Sequence, residues 1–355
     1  MFVYYLLLVL AALIFSSQFL VTKQYERCKG TGFYTTLRLS FFAYLTIALF
    51  FLIKGCIAKG AFHFSFSWFT FGMTIGIAVV SLACIVMGIK VLAVGDMSVY
   101  SVFMMLGSMV MPTLVGLVFY GERMSVLKAV ALILMFSAIA LSLKRSGRSR
   151  FGVKALLFYF GIFIMNGMIG VLFTVHQNHA ALTAGVVFSD GAYFVDNDIF
   201  MTWYGLSTVL LAGAVWLGMT VRKKIVSRVG GGEKESFSEQ ESVLARAAGD
   251  ASARQADQID EKQERTGAAL SLKMRIVAAI LPVLYGICNG LGDYFIALGT
   301  QPGALGSSVT FPIVNGGTIL FSTLIGCLFY REKFTLKTMC SLLIIVASTV
   351  LFMFA

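Results

Sequence analysis

The 25 residues from Ser98 to Glu122 recur without a gap 210 positions later, from Ser308 to Glu332. The copies read SVYSVFMMLGSMVMPTLVGLVFYGE and SVTFPIVNGGTILFSTLIGCLFYRE, with nine of the 25 aligned positions identical, Gly107, Gly116, Tyr120 and Glu122 among them. Shared apolar composition does not place glycine, tyrosine and glutamate in register, so the pattern is a duplication. Each copy is an apolar run closed by Phe-Tyr-x-Glu and a basic residue, and a further apolar run follows. An internal repeat of membrane spans is the sequence mark of a transporter, in which two related halves move about a shared central site.

The chain is 58% hydrophobic and 13% charged over 355 residues. A water-soluble chain cannot hide that much apolar surface, so lipid is the expected solvent. Ten apolar runs approach the roughly 20 residues that span a bilayer as helix: Phe2–Thr22, Phe33–Ile53, Phe69–Ile89, Val99–Tyr120, Val126–Leu143, Ala155–Val175, Phe200–Met219, Ile276–Leu298, Ser307–Tyr330 and Leu336–Phe354. The runs are continuous and not alternating, which favours helices that satisfy their own backbone. The first run lacks a basic n-region and a small-residue cleavage site, so it reads as a span and not as a signal peptide. Six cysteines are scattered without a CxxC pair, which indicates neither a disulfide framework nor a zinc site. The net charge of +11 is expected to set topology and meet lipid headgroups, with no nucleic-acid partner.

The expected fold is an all-α integral membrane protein, its ten transmembrane helices forming two inverted five-helix repeats, 1–145 and 151–355. Five is odd, so the second set must enter from the opposite side. A polar segment, 222–273, interrupts the second set. It reads as a disordered tether, or as a surface helix over 242–265. Basic residues crowd one side of the expected membrane: Lys23, Lys29, Arg145, Arg148, Arg222 and Lys223 belong to it, against Lys54, Lys59, Arg123 and Lys128 on the other. The positive-inside rule places the richer side in the cytoplasm and both termini outside.

The two five-helix sets, the Phe-Tyr-Gly-Glu-Arg at 119–123, the Phe-Tyr-Arg-Glu-Lys at 329–333, Arg38 inside the second run and the Ala297-Leu298 pair ending the eighth together resemble the EamA-type members of the drug/metabolite transporter superfamily. The resemblance covers nearly the whole chain and implies a fold and alternating access, without naming a substrate. It implies termini in the cytoplasm, opposite to the charge count. The 222–273 segment is far longer than that family's usual loops.

Polar groups inside apolar runs are costly, so each is a site candidate. Arg38 lies roughly 8 Å below the interface at the helical rise, where it can hold an anion or snorkel to headgroups. Tyr285, Asn289 and Asp293 share one helix face at spacings of four. Asp293 is the acid inside an apolar run, and it needs a proton, a cation or a hydrogen-bond donor, or else serves as a helix–helix contact. Asn315, Tyr100 and Asn166 are further substrate-binding candidates, with Ser16, Ser17 and Gln18 weaker ones. Pro112 and Pro312 are expected to kink the fourth and ninth helices. Glu122 and Glu332 sit at helix ends beside basic residues, where capping fits better than substrate contact. His176 and His179, expected just past the sixth helix and followed by Asp190, Asp196 and Asp198, fit a solvated loop better than a metal cluster.

These features predict a secondary transporter or exporter of a small polar metabolite, multi-pass in the plasma or inner membrane. The expected partners are a small-molecule substrate, membrane lipid and a coupling proton or cation, with the chain a monomer or homodimer. No GxxxxGK[ST], HExxH or GxSxG pattern occurs, so an ATP-coupled chain and an enzyme are disfavoured, and no cofactor or metal is expected. The alternatives are a non-transporting scaffold that recruits a partner through 222–273, or an intramembrane enzyme.

Overall fold

The computed structural model describes residues 2–29, 32–62, 64–94, 97–142, 153–178, 196–229, 272–301, 303–330 and 336–354. Among them are ten helices: α1 (Phe2–Lys29), α2 (Phe33–Lys59), α3 (Trp68–Val94), α4 (Met97–Phe119), α5 (Val126–Ser142), α6 (Val153–Gln177), α7 (Asn197–Val229), α8 (Leu272–Thr300), α9 (Ser307–Tyr330) and α10 (Leu336–Met353). Six of them contain stretches long and apolar enough to cross a membrane: α1, α2, α6, α7, α8 and α9. The apolar stretches of α3, α4, α5 and α10 are shorter. Leu49, Ile133, Leu210 and Leu343 stand exposed on outward faces, as lipid-facing residues would.

Helices end where the backbone chemistry changes. Gly60 follows α2 at φ 68°, with its N–H returned to the Ile57 carbonyl. Gly121 adopts φ 62° just after α4. Both are left-handed positions that glycine enters without a Cβ penalty.

The helices pack chiefly between the first five and the last five. The principal pairs are α4 with α6, α1 with α9, α1 with α8, α3 with α6, α2 with α8, α3 with α7, and then α2 with α7, α5 with α10 and α4 with α9. Exchanging each helix for the one five places along returns the same set of pairs. Two glycines set the closest approaches. A Cβ on Gly107 of α4 would collide with the Phe163 backbone carbonyl of α6, and one on Gly286 of α8 with the Ala43 carbonyl of α2. Small residues at such crossings let backbones touch, which is how apolar helices associate when lipid is as apolar as they are. The main core joins Leu8, Phe51, Met109, Phe173, Phe200 and Tyr204 from five different helices.

Several expected boundaries shift. Helices α1, α2 and α3 run past Thr22, Ile53 and Ile89 to Lys29, Lys59 and Val94. Similarly, α7 continues to Val229, so 222–229 is helix and not the start of a loop. A helix need not stop at the hydrocarbon edge, because polar residues extend it into headgroups without leaving its backbone unsatisfied. The rest of the polar segment, 230–271, lies outside the described residues, as does the surface helix expected within it. His176 lies within α6 and is buried, contrary to its expected place in a loop. The helices α4 and α9 run unbroken through Pro112 and Pro312, and α8 carries a third proline, Pro282.

Candidate functional site

Apolar helices that meet at glycines leave space where larger and polar side chains stand. Eight helices, all but α5 and α10, surround a cavity of about 370 Å³. At about 30 Å³ per water, that is room for roughly a dozen waters. Tyr285, Asn289, Asp293, Asn166 and Asn315 all line it, as do Gln18, Tyr44, Ser108, Tyr204 and Thr318.

The polar side chains are chained together. Gln18 Nε2 of α1 donates to Asn289 Oδ1 at 2.7 Å, and Asn289 Nδ2 donates to Asp293 Oδ2 at 2.9 Å. Asn289 thus relays α1 to the carboxylate, and the spacing of four on α8 makes the second bond possible. Across the cavity, Ser108 Oγ of α4 donates to Asn315 Oδ1 of α9 at 3.1 Å, while Asn315 Nδ2 donates to its own helix at the Phe311 carbonyl. Asn166 Nδ2 donates to the Met104 carbonyl at 2.8 Å. The Tyr44 and Tyr204 hydroxyls share a hydrogen bond of 2.9 Å between α2 and α7. Away from bulk solvent these bonds make the polar groups easier to bury.

Asp293 is the acidic residue in this wall. The ion pairs among the described residues are Lys54–Asp198 at 2.6 Å and Lys59–Asp196 at 3.6 Å, and neither involves it. Phe15, Tyr44, Phe173, Tyr204, Tyr285 and Phe311 supply aromatic surface around the same space.

The end of the bundle that holds both chain termini is laced together. Tyr5 of α1 donates to the Phe352 carbonyl of α10, which brings the termini side by side. Lys54, near the end of α2, donates to Asp198 of α7 at 2.6 Å and to the Tyr294 hydroxyl of α8 at 3.2 Å, with its ammonium 4.5 Å from the Tyr294 ring centre. Asn178 donates to the Thr300 carbonyl. Glu122 reaches the start of α9, where Oε1 accepts from the Ser307 N–H and hydroxyl and Oε2 from the Ser308 N–H, at 2.7 to 2.8 Å. A carboxylate there meets the positive end of the helix dipole and its unpaired N–H groups.

Of the two roles expected for Arg38, the structure favours the outward one. It is exposed, its guanidinium lies 5.9 Å from the Phe42 ring centre, and it does not line the cavity. Its position early in α2 puts it on an outward face, where a long side chain lies over its neighbours. The Tyr100 side chain lies outside the described residues, as do Glu332, His179 and Asp190. His176 meets Thr70 Oγ1 through Nε2 at 3.1 Å and stacks 4.1 Å from Phe200. Asp196 and Asp198 serve the lysine pairs, and among the described residues no group of three His, Cys, Asp or Glu is placed to hold a metal. Ser16 donates to the Ala12 and Thr318 carbonyls, a helix-packing role. The sequence reading passed over Tyr44 and Tyr204, although tyrosine in the middle of an apolar run is a legible signal.

No family model and no curated protein matches the chain. Chains of known structure do match. One, described only as "Crystal structure of protein", superposes with a TM-score of 0.63 at 13% identity, covering 98% of this chain and 95% of that one. At that identity the likeness concerns the fold alone.

Proposed function

We propose that this protein is a secondary transporter that moves a small polar solute by alternating access. In this reading all ten helices span the membrane as two inverted five-helix repeats of the EamA type, 1–145 and 151–355. The observation that carries it is the central cavity, walled by α1 to α4 and α6 to α9, with a hydrogen-bonded polar chain inside and side-chain ties across one end. A polar cavity at the junction of two helix sets is where inverted-repeat transporters hold their cargo. The exchange-invariant packing and the register of the Ser98–Glu122 and Ser308–Glu332 copies support the repeat. The pairing of α2 with α7, α4 with α9 and α5 with α10 supports an axis relating the halves.

The driving force would be a gradient of protons, another cation or the solute itself, and the membrane the plasma or inner membrane. The protein acts as a monomer or homodimer, without a cofactor and without chemistry on its cargo. The test is exchange flux in proteoliposomes: wild-type protein preloaded with a metabolite extract should accelerate counterflow of labelled small solutes over protein-free vesicles. Equal leakage from both, with folded protein confirmed, would refute transport. A chemically altered solute would point instead to an enzyme.

A further inference from the structure

The chemistry of the cavity wall narrows the class of solute. Among the described lining residues there is one aspartate, Asp293, and no glutamate, lysine, arginine or histidine. The two basic groups nearest in sequence terms to a site role are engaged elsewhere: Arg38 lies exposed over Phe42, and Lys54 pairs with Asp198 and Tyr294. An anion entering this space would lose its water and find an acid and no cation to pair with, a costly transfer in low dielectric. A zwitterion would satisfy its ammonium and leave its own carboxylate facing amides and rings. A divalent metal ion is a poor match too, because Ca²⁺ and Mg²⁺ ask for six or more oxygen ligands and Zn²⁺ for three or four from His, Cys, Asp or Glu, and no group of three such residues is found among the described residues.

An organic ammonium ion fits each element. Its N–H groups can donate to the Asp293 oxygen that Asn289 does not use, since Asn289 engages Oδ2. Its remaining positive surface can face the rings of Phe15, Tyr44, Tyr204, Tyr285 and Phe311, whose faces carry negative quadrupole density. The Gln18–Asn289 bond holds the relay amide with its N–H toward the carboxylate, so the acceptor is fixed before the cation arrives. A volume of about 370 Å³ admits one compact ring with a short amine chain.

We propose that the cavity binds a compact, singly charged organic ammonium ion with an aromatic or apolar body, paired to Asp293. As a ligand class this stands on the cavity alone; as the transported cargo it rests on the transporter reading above. The test uses three probes of matched shape, 2-phenylethylamine, 3-phenylpropanoate and 2-phenylethanol, with the full-length protein at neutral pH. Equilibrium binding in detergent should show the amine preferred over both others. The D293N variant, its fold checked by thermal unfolding, should lose amine affinity by roughly ten- to a hundredfold, the worth of a hydrogen bond to a charged group. Asp293→Glu, which keeps the charge, should recover part of the affinity.

Preference for 3-phenylpropanoate, equal binding of all three, no binding of any, or an amine affinity indifferent to D293N would each overturn the class. Flux in proteoliposomes separates the two readings. Amine bound but not moved sinks the transporter and leaves the ligand class standing. Flux of the anion with no amine flux does the reverse.

Discussion

At the scale of single residues, Asn289 is the hinge of the site, because its two amide atoms face in opposite directions along one chain of bonds. Truncating Gln18 to Ala leaves the Asn289 oxygen without its donor, and truncating Asn289 removes both bonds at once. The two changes should therefore not add. A double-mutant cycle on probe affinity or thermal stability should give a coupling of about 0.5–1.5 kcal/mol, and a coupling of zero would mean that the pair is not formed. Arg38→Ala, by contrast, should leave ligand affinity within about twofold, since its loss changes only an outer surface. The stripe on α8 was readable because spacing of four puts side chains on one face whatever surrounds them. Arg38 stayed two-way in the sequence because depth along a helix says nothing about which way the helix is turned. The Tyr44–Tyr204 pair spans α2 and α7, 160 positions apart, and such a pairing is a property of packing that no local pattern encodes.

Elements are joined here by devices that sit at their ends and crossings. Glu122 belongs to the turn after α4, yet its carboxylate caps α9. Glu122→Ala should lower stability by about 2 kcal/mol, and Glu122→Gln by less, because the amide keeps one acceptor oxygen. The check is thermal unfolding in detergent, and equal melting of wild type and both variants would demote the cap to a surface contact. Gly286→Leu should be worse tolerated than Leu at an outward site such as Val283, because its Cβ would run into the Ala43 carbonyl and force α8 away from α2. A fluorescence-detected elution profile would show aggregated Gly286→Leu beside a well-behaved Val283→Leu. Ten apolar runs foretold the ten helices of the described residues, and the two copies of the duplicated segment fall largely on α4 and α9. The helix ends were less legible, since the switch from hydrocarbon to headgroup changes polarity without breaking a helix. That a glutamate beside an arginine caps a helix was readable; that the helix begins 185 positions later was not.

For the whole molecule, the decisive feature is the lacing of one end. Lys54 ties α2 to α7 and α8, but its side chain is 36% exposed while Asp198 is 9% exposed. Solvent screening limits such a pair to roughly 0.2–1 kcal/mol, a weight that suits a releasable catch in the transporter we propose. Lys54→Met and Asp198→Asn should each raise the population open at this end by about two- to fivefold. A single cysteine at Ile296, in a background without native cysteines, would report this as faster labelling from the side of the termini. Unchanged rates in both variants would make the pair a static staple. The same assay settles the orientation left open between the charge count and the family resemblance. With Ser238→Cys as the reporter, resistance to an impermeant thiol reagent in intact cells places the 222–273 segment in the cytoplasm, and labelling without lysis places it outside.

The pairing of first-set helices with last-set helices also governs how the molecule comes into being. Within the first five helices the contacts are few, and α1 to α5 each find their main neighbour among α6 to α10. A nascent chain with α5 just made therefore holds five helices whose main partners are still to come, with glycines on α2, α3 and α4. At 5–20 residues per second, the remaining 210 residues take roughly 10 to 40 s to arrive. For that interval the half-made protein depends on lipid, the insertion machinery or a chaperone to keep Gly107 and its neighbours from pairing wrongly. A chain stopped at residue 145 should be cleared by quality-control proteolysis. The same fragment produced alongside residues 151–355 should persist.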